Sequence, residues 1–547
     1  MRSGHAIRLL VVAACGTLTS CHSVLRVQVA RTETTLTERE KRHMAGVLDE
    51  MAAGWDGMQQ GGQDARQHAQ LRYDQALAVF LREWDEHQSP RYWQSGTVFT
   101  SKLQTFQIDF DPKARPQLEI QPAQIDQLML ASRRAHGQDT LSEREGVGVP
   151  VVGRVYRTHA TRKEQPFLPP NGGNLTLTAV MELAADDADP ATARRCRLHL
   201  HNTLNVQTVQ VQQAAQPLAA NFTAAKDLAL SKKSLGLFSW LGLLYPERTL
   251  GESHLYCMDG YDPKRIPVVF VHGLMSDPHI WLNAVNAISA DPELRARYQP
   301  WYFLYPTGMG VPQTSARLRD SLQQARDYFD PDHNDPGMNQ MVLVGHSMGG
   351  LLSRMQVIDP GDKLWNAIFR RPPEQLNVSP PVRERLVSTL KFKPQAEVKR
   401  VVFIATPHHG SDLAGMNIVR RVASLIRLPV DTLLMTKQLL TGNTDALSPQ
   451  IRDWGIFAFL SVGTLSSQHP FYQGLNAVPI PVPYHSIIGH FGRGDLLSSS
   501  DGAVLYKSSH LEGAQSEKVV ACWHGCVERP DVVKEVMRVL KEHLRGR

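Results

Sequence analysis

The sequence predicts an α/β protein. Its C-terminal half holds a mostly parallel sheet, preceded by a helical region and a small β-containing region. Two observations carry this reading. From Cys257 onward, short apolar runs alternate with amphipathic helical stretches, the pattern of strands covered on both faces by crossover helices. The polar motifs of that half also fall where a strand ends, which is where functional groups collect in such sheets. The clearest is Gly345-His346-Ser347-Met348-Gly349, set between the apolar run Met341 to Val344 and a helical run from Gly349 to Ile358.

At the N-terminus, Arg2 and Arg8 flank the start of an apolar core, Ile7 to Ala14, followed by small residues. This reads as a secretory signal peptide over residues 1–20, too short to span a bilayer. Leu18-Thr19-Ser20-Cys21 resembles the lipobox of bacterial lipoproteins. That resemblance implies cleavage before Cys21, acylation of Cys21 with a fatty chain such as palmitate, and membrane attachment through it. His22 stands where an Asp would signal inner-membrane retention. The expected location is therefore the bacterial cell envelope, on the outer membrane facing the periplasm or exterior. An ordinary cleaved signal with an incidental Cys is the alternative.

Helical spacing of Leu48, Met51 and Trp55, and then of Leu71, Ala76, Val79, Phe80 and Trp84, predicts helices between Thr35 and Trp84. Gly61-Gly62 divides them. Gln121-Pro122 reads as a helix start running toward Leu130. Residues 163–174 form a Pro- and Gly-rich loop, and 175–183 and 197–201 read as strands separated by an acidic turn over 184–193. The organisation is a mainly helical segment over 21–145 and a small β-containing segment over 146–254. His199 and His201 share a strand face, which suits either a half-buried strand or a metal, and the half-buried strand is preferred. Cys196, Cys257, Cys522 and Cys526 remain after signal removal. Three disulfide pairings, or free thiols, stay open.

Residues 255–547 form the third region. Strands are expected at 265–271, 301–305, 341–344, 398–405, 484–488 and 517–521, with helices at 281–288, 314–329, 349–358 and 531–544. A long insertion spans 411–483. In it Met416, Ile418, Val419, Val422, Leu425 and Ile426 recur at helical spacing with arginines between them, either as a lid or as a surface helix.

Gly-x-Ser-x-Gly alone would occur by chance in roughly one chain in six of this length, so its setting decides its meaning. A strand that turns tightly into a helix lifts one side chain above the sheet, over free helix N–H groups. Ser347 is the candidate nucleophile. A serine hydroxyl needs a base to take its proton and a carboxylate to orient that base. Asp495 and Asp501 both follow the strand ending at Ile488. His524 directly follows the last strand, and His510 precedes it; position favours His524. Two backbone N–H groups must face the developing oxyanion. Met348, next to the nucleophile, and Leu274, in His272-Gly273-Leu274-Met275, are placed to supply them.

The segments Val269-Phe270-Val271-His272-Gly273-Leu274, Tyr305-Pro306-Thr307-Gly308, the Ser347 motif, Ala405-Thr406-Pro407-His408-His409-Gly410-Ser411 and Ser500-Asp501-Gly502-Ala503-Val504 together resemble bacterial α/β-hydrolase lipoproteins related to lipases and PGAP1-like esterases. The resemblance covers about residues 255–545. It implies an α/β-hydrolase fold and hydrolysis of carboxylic esters, lipid or acyl esters above all, by a Ser–Asp–His triad through an acyl-enzyme. The Ser500-to-Val504 turn resembles the acid turn of many lipases and favours Asp501. Paired His408-His409 departs from the commoner single His. No cofactor or metal is expected: Cys522-x-x-x-Cys526 has no second ligand pair. An acyltransferase using the same triad and a non-catalytic envelope lipoprotein are the alternatives. Net charge is +6 on 547 residues, with 42% hydrophobic and 20% charged residues. That balance, without a basic block, excludes nucleic acid as the expected partner.

Overall fold

The computed structural model describes residues 36–546 apart from 59, 112–117, 132–141, 159–162, 185–192, 212–213, 231–238, 240, 412–425 and 492–494. The signal segment with Cys21, most of the acidic turn over 184–193 and nearly all of the insertion helix expected over 416–426 lie outside the described residues.

Thr37 opens α1 (Glu38–Gly57) with a capping box: its hydroxyl accepts from the Glu40 N–H at 3.3 Å, and the Glu40 carboxylate accepts from the Thr37 N–H at 2.7 Å. Gly61, at φ 77°, and Gly62 make the expected break before α2 (Gln63–His87). The helical hairpin lies on a six-stranded sheet of β1 (Thr97–Thr100), β2 (Thr105–Asp109), β3 (Gln127–Leu130), β4 (Val149–Val155), β5 (Gly173–Leu183) and β6 (Arg194–Asn202), in the order β1-β2-β6-β5-β4-β3. Tyr73 locks α2 to β5, its hydroxyl accepting from the Met181 N–H and donating to the Met181 C=O, both at 2.8 Å. Strands from both sides of residue 145 share this sheet. Helices and strands therefore pack as one body rather than as two successive segments.

One expected element is corrected. Gln121 starts no helix: a 3₁₀ turn at Pro122–Gln124 leads into β3. The Asp85 carboxylate takes the Leu128 N–H at 2.7 Å, and β3 pairs antiparallel with β4. These partners satisfy main-chain groups that a helix would have used internally, so tertiary pairing overrides the local preference.

The C-terminal half carries a seven-stranded sheet: β7 (His254–Cys257), β8 (Ile266–Val271), β9 (Tyr298–Leu304), β10 (Met341–His346), β11 (Val398–Ile404), β12 (Tyr484–His490) and β13 (Ser516–Ala521), in the order β7-β9-β8-β10-β11-β12-β13. All neighbours are parallel except β7 against β9. Successive strand residues face opposite sides. Val269, Val271, Leu343, Val401 and Phe403 enter the core layer beneath α4 (Val311–Phe329) and α5 (Met348–Val357), while Val268, Phe270, Val342, Val344 and Val402 enter the layer beneath α3 (Leu282–Ala290) and α6 (Pro530–Leu544). The topological reversal beside β8 places a crevice at the carboxyl ends of β8 and β10. Cys196, Cys257, Cys522 and Cys526 are free thiols. Cys196 packs in the N-terminal core and Cys257 in the C-terminal one, so no bridge ties the halves together.

His199 sits between two carboxylates, with Nδ1 3.1 Å from Glu119 and Nε2 3.5 Å from Glu182. Its ring stacks on His201 with centroids 5.3 Å apart. Burial opposes its charge, but hydrogen bonds to Glu119 and Glu182 prevail and lift it to about 9. Burial, with charged His199 beside it, lowers His201 to about 4. A folded-state value raised for His199 means stability that is complete below about 6.5 and lost as pH rises through about 9. His201 is neutral in the folded state over that interval and becomes neutral in the unfolded chain just above its start. Urea unfolding between pH 6.5 and 9 should therefore lose about 1–3 kcal/mol, allowing for the half-exposed Glu182, and Glu119→Gln should flatten most of that slope.

Candidate active site

β10 ends in a turn that only small residues allow. A Cβ on Gly345 would lie 2.5 Å from the Gly349 carbonyl oxygen and 2.6 Å from the Gly350 Cα. Ser347 between them has φ 52° and ψ −123°, a backbone conformation rare for a side-chain-bearing residue. Its N–H donates to the Ile404 carbonyl of β11 at 2.8 Å, so the strained turn is tied to the neighbouring strand. The Ser347 hydroxyl stands at the start of α5.

Three loops meet it there. After β13, the His524 Nε2 lies 2.8 Å from the Ser347 Oγ, and its Nδ1 lies 2.7 Å from the Asp501 Oδ2. Asp501 is 1% exposed. Its other oxygen accepts from the Ala503 and Val504 N–H groups at 2.9 and 2.7 Å, so the turn orients the carboxylate. The His524 N–H also donates to the Asp501 carbonyl at 2.9 Å. Of the two candidate acids, only Asp501 joins this chain of bonds. Asp495 is exposed and precedes the short turn Leu496–Ser498. His510 is paired with Glu517 at 2.6 Å, away from Ser347.

The third loop follows β8. A Cβ on Gly273 would lie 3.0 Å from both the Ser347 Cβ and the His346 Nδ1, so this loop lies against the turn. Met275, at φ 55°, donates its N–H to the Thr307 hydroxyl at 3.3 Å. Tyr305 stacks on His272 at 4.2 Å and donates its hydroxyl to the His272 carbonyl at 2.5 Å. Gly273, directly before Leu274, is thereby held against Ser347, and Met348 begins α5 directly after the serine.

Several positioning groups are not legible in the sequence. His346, inside the Ser347 motif, donates its Nε2–H to the His524 carbonyl at 2.9 Å. Burial first, and then neighbouring His524, lower His346 to about 3, so it works as a neutral donor. Burial likewise brings His272 to about 4. Ser411 donates to the Ala503 carbonyl at 2.6 Å and Ser508 to the Gly410 carbonyl at 2.5 Å, tying the loop after β11 to the acid turn. His408 is fully buried against Phe403 at 4.6 Å, and the His409 N–H donates to Ser508. Neither His408 nor His409 hydrogen-bonds to Ser347, Asp501 or His524. The motif residues Thr307 and Ser411 mark the right loops, but only the fold shows what they hold. Among the described residues, no group of His, Cys, Asp and Glu is arranged to hold a metal ion.

The close contacts at Gly345 are with backbone, which has nowhere to move. Gly345→Ala should cost about 1–3 kcal/mol in urea unfolding, and unchanged stability would mean that the turn is looser than its geometry.

Residues 268–536 match the family model described as the alpha/beta hydrolase family. No curated protein matches the chain. Among solved structures, the chain is similar to the propeptide form of the Bacillus licheniformis lipase BlEst2, at 18% identity and TM-score 0.30, over 53% of each chain. It thus spans about half the length of that structure. It is also similar to EstA from Clostridium botulinum, at 15% identity and TM-score 0.30, over 51% of this chain and 86% of that one. A carboxylesterase structure from Nitrososphaera gargenis has 15% identity and TM-score 0.29, over 54% of this chain and 96% of that one. The family match, the sheet order and the turn at Ser347 together make residues 268–536 an alpha/beta hydrolase domain.

Proposed function

We propose that the protein is a serine esterase that cleaves acyl esters at a membrane. The observation that carries this reading is the continuous hydrogen-bonded chain from the Ser347 Oγ through His524 to Asp501, at 2.8 and 2.7 Å. A hydroxyl within reach of an imidazole, itself oriented by a buried carboxylate, is the arrangement that makes serine nucleophilic at neutral pH.

The steps follow from the atoms. The His524 Nε2 takes the proton from Ser347 as its Oγ attacks the ester carbonyl. The Leu274 and Met348 N–H groups hold the oxyanion, aided by the N-terminal end of α5. His524 then gives its proton to the departing alcohol, leaving an acyl-serine. Water, deprotonated by the same imidazole, attacks the acyl carbon and releases the acid. Asp501 stays ionised throughout and holds the His524 tautomer.

The rim supports an apolar acyl group. Trp523, beside His524, is 59% exposed and stacks on the 51% exposed Phe491 at 3.8 Å. Met275 and Leu497 are exposed on the loops carrying Leu274 and Asp501. The exposed Phe491–Trp523 pair, with further exposed apolar side chains on the neighbouring loops, suits contact with an acyl chain or lipid.

Ser347→Ala should abolish hydrolysis of p-nitrophenyl butyrate and labelling by a fluorophosphonate. Asp501→Asn should lower kcat by roughly 10³- to 10⁴-fold, while Asp495→Asn leaves it within about twofold. Labelling that survives Ser347→Ala would refute the assignment.

The envelope location rests on the Leu18-Thr19-Ser20-Cys21 segment. The resemblance of that segment to a lipobox assigns attachment to acylated Cys21; separately, among the described residues no helix is long and apolar enough to cross a membrane. Cells expressing the full chain should incorporate labelled palmitate into it and hold it in the membrane fraction. Cys21→Ser should end the incorporation and move the protein to the soluble fraction; a membrane-bound, unlabelled Cys21→Ser protein would refute the anchor.

A further inference from the structure

A cavity of about 320 Å³ lies at the seam between the two halves of the chain. The N-terminal body lines it with Val155, the last residue of β4, and with Leu175 of β5. The hydrolase half lines it with Cys257 and Met258, where β7 ends, and with Tyr328 and Phe329, where α4 ends. β7 runs antiparallel to β9, and the Met258 N–H donates to the Pro300 carbonyl near the start of β9 at 3.3 Å. The cavity therefore lies toward the amino ends of the parallel strands, whereas Ser347 follows the carboxyl end of β10. None of Ser347, Asp501 and His524 lines it.

Its walls are apolar. Phe167 packs on Tyr328 and Phe329 with ring centroids 5.4 and 4.9 Å apart, and Tyr261 stacks on Phe329 at 4.6 Å. Ile120, Val155, Leu168 and Leu175 supply aliphatic surface. Among the described residues that line it, none is Asp, Glu, Lys or Arg. Burial raises the Cys257 thiol and the Tyr261 phenol, so both are neutral at neutral pH. The two phenols already have partners: Tyr261 donates to Asp335 at 2.6 Å and Tyr328 to the Glu164 carbonyl at 2.8 Å. The remaining polar side chains are the amides of Gln124 and Gln165. Both are exposed, as is Tyr328, and together they mark the mouth. The Gln124 oxygen accepts from the Gln121 N–H at 3.1 Å, so its NH₂ group is what it offers a ligand.

We infer that this cavity binds an uncharged aromatic small molecule of about ten to twelve non-hydrogen atoms, carrying one hydrogen-bond-accepting oxygen. The inference does not rest on the esterase reading. Size follows from volume: an apolar cavity of about 150 Å³ holds benzene, and twice that space holds about twice the atoms. Charge follows from the lining, since a carboxylate or ammonium would give up its water against walls that offer no counter-charge. The clustered rings favour an aromatic occupant, which packs on them offset or edge-on. Its oxygen accepts from Gln124 at the mouth. Apolar walls with a few polar groups at a junction of two bodies are the usual makings of a small-molecule site. An occupant touches β4, β5, β7 and α4 at once, so it binds only while the seam is closed and stabilises the fold by mass action.

The test titrates 2-naphthol, an uncharged two-ring phenol of the stated size, into the full chain by calorimetry at neutral pH. One equivalent should bind, and the melting temperature should rise with its concentration. 2-Naphthoate, its carboxylate counterpart, should bind at least about tenfold more weakly. Leu175→Trp, which fills the cavity with an indole, should weaken 2-naphthol at least about tenfold and end the rise in melting temperature, while its circular dichroism matches wild type. Gln124→Ala should weaken binding about two- to tenfold. Absence of binding to wild type overturns the inference, as does binding that survives Leu175→Trp. Equal binding of 2-naphthoate overturns the choice of an uncharged ligand, and unchanged binding by Gln124→Ala overturns the polar contact. If Leu175→Trp fails to fold, Val155→Phe fills the same cavity from β4 and decides in its place.

Discussion

The turn at Ser347 is the constraint on which the other features of the site depend. Its φ of 52° places a side-chain-bearing residue where most are strained. The surroundings hold it there: Gly345 and Gly349 let two backbones meet without a Cβ between them, and β11 accepts the Ser347 N–H. Strain of this kind persists only where packing over-determines the chain. Here the packing is a strand buried on both faces, with Val342, Leu343 and Val344 all inaccessible to solvent. The apolar sheet thus keeps one hydroxyl fixed in space, and each loop at the carboxyl ends of the strands is positioned relative to it.

Those loops are joined mainly by uncharged hydrogen bonds. His272 and His346 are kept neutral by burial, so both serve as struts and leave the local field to Asp501. The division is economical. In the proposed mechanism His524 takes a proton as Ser347 attacks, and a second charged imidazole beside it would disfavour that step. A neutral His346 instead fixes the base through its main-chain carbonyl, without competing for the proton.

Much of this domain was legible in the sequence because its strands are short apolar runs and its helices are amphipathic. Six strands and four helices of the sheet stand within a few residues of where periodicity puts them. The edge strand β7 was not legible, since His254 to Cys257 is too short to show a pattern and is a strand only because β9 pairs with it. That Ser347 and His524 would meet could be read from motif and position. The choice between Asp501 and Asp495 could not be made from position, because both follow β12. It depends on a turn in which the Ala503 and Val504 N–H groups aim one carboxylate inward. His346 was hidden for a different reason: its partner is a main-chain carbonyl 178 positions away, and a carbonyl leaves no trace in residue identity. The N-terminal half was harder still, since β1 to β3 are four or five residues each and gain their pairing from distant strands.

That half is built into the hydrolase domain rather than tethered to it. Phe167 lends its carbonyl to the Cys257 N–H at 3.0 Å and packs its ring on Phe329 at 4.9 Å. Arg265 reaches across to the Leu204 carbonyl at 2.7 Å and the Asn205 side chain at 2.8 Å. Arg157 pairs with Glu252 at 2.6 Å, and the Lys226 ammonium, buried with the Asp259 carboxylate, forms an ion pair at the same seam. Buried charges are tolerable only while both partners are present; removing one strands the other in a medium that cannot solvate it. β7 adds a second dependence, because an unpaired sheet edge is exposed wherever its cover is lost. Removing the N-terminal body would leave Asp259 without its partner and uncover the outer edge of β7. The same sheet that fixes Ser347 at one end therefore relies, along its far edge, on a region that supplies none of Ser347, Asp501 and His524.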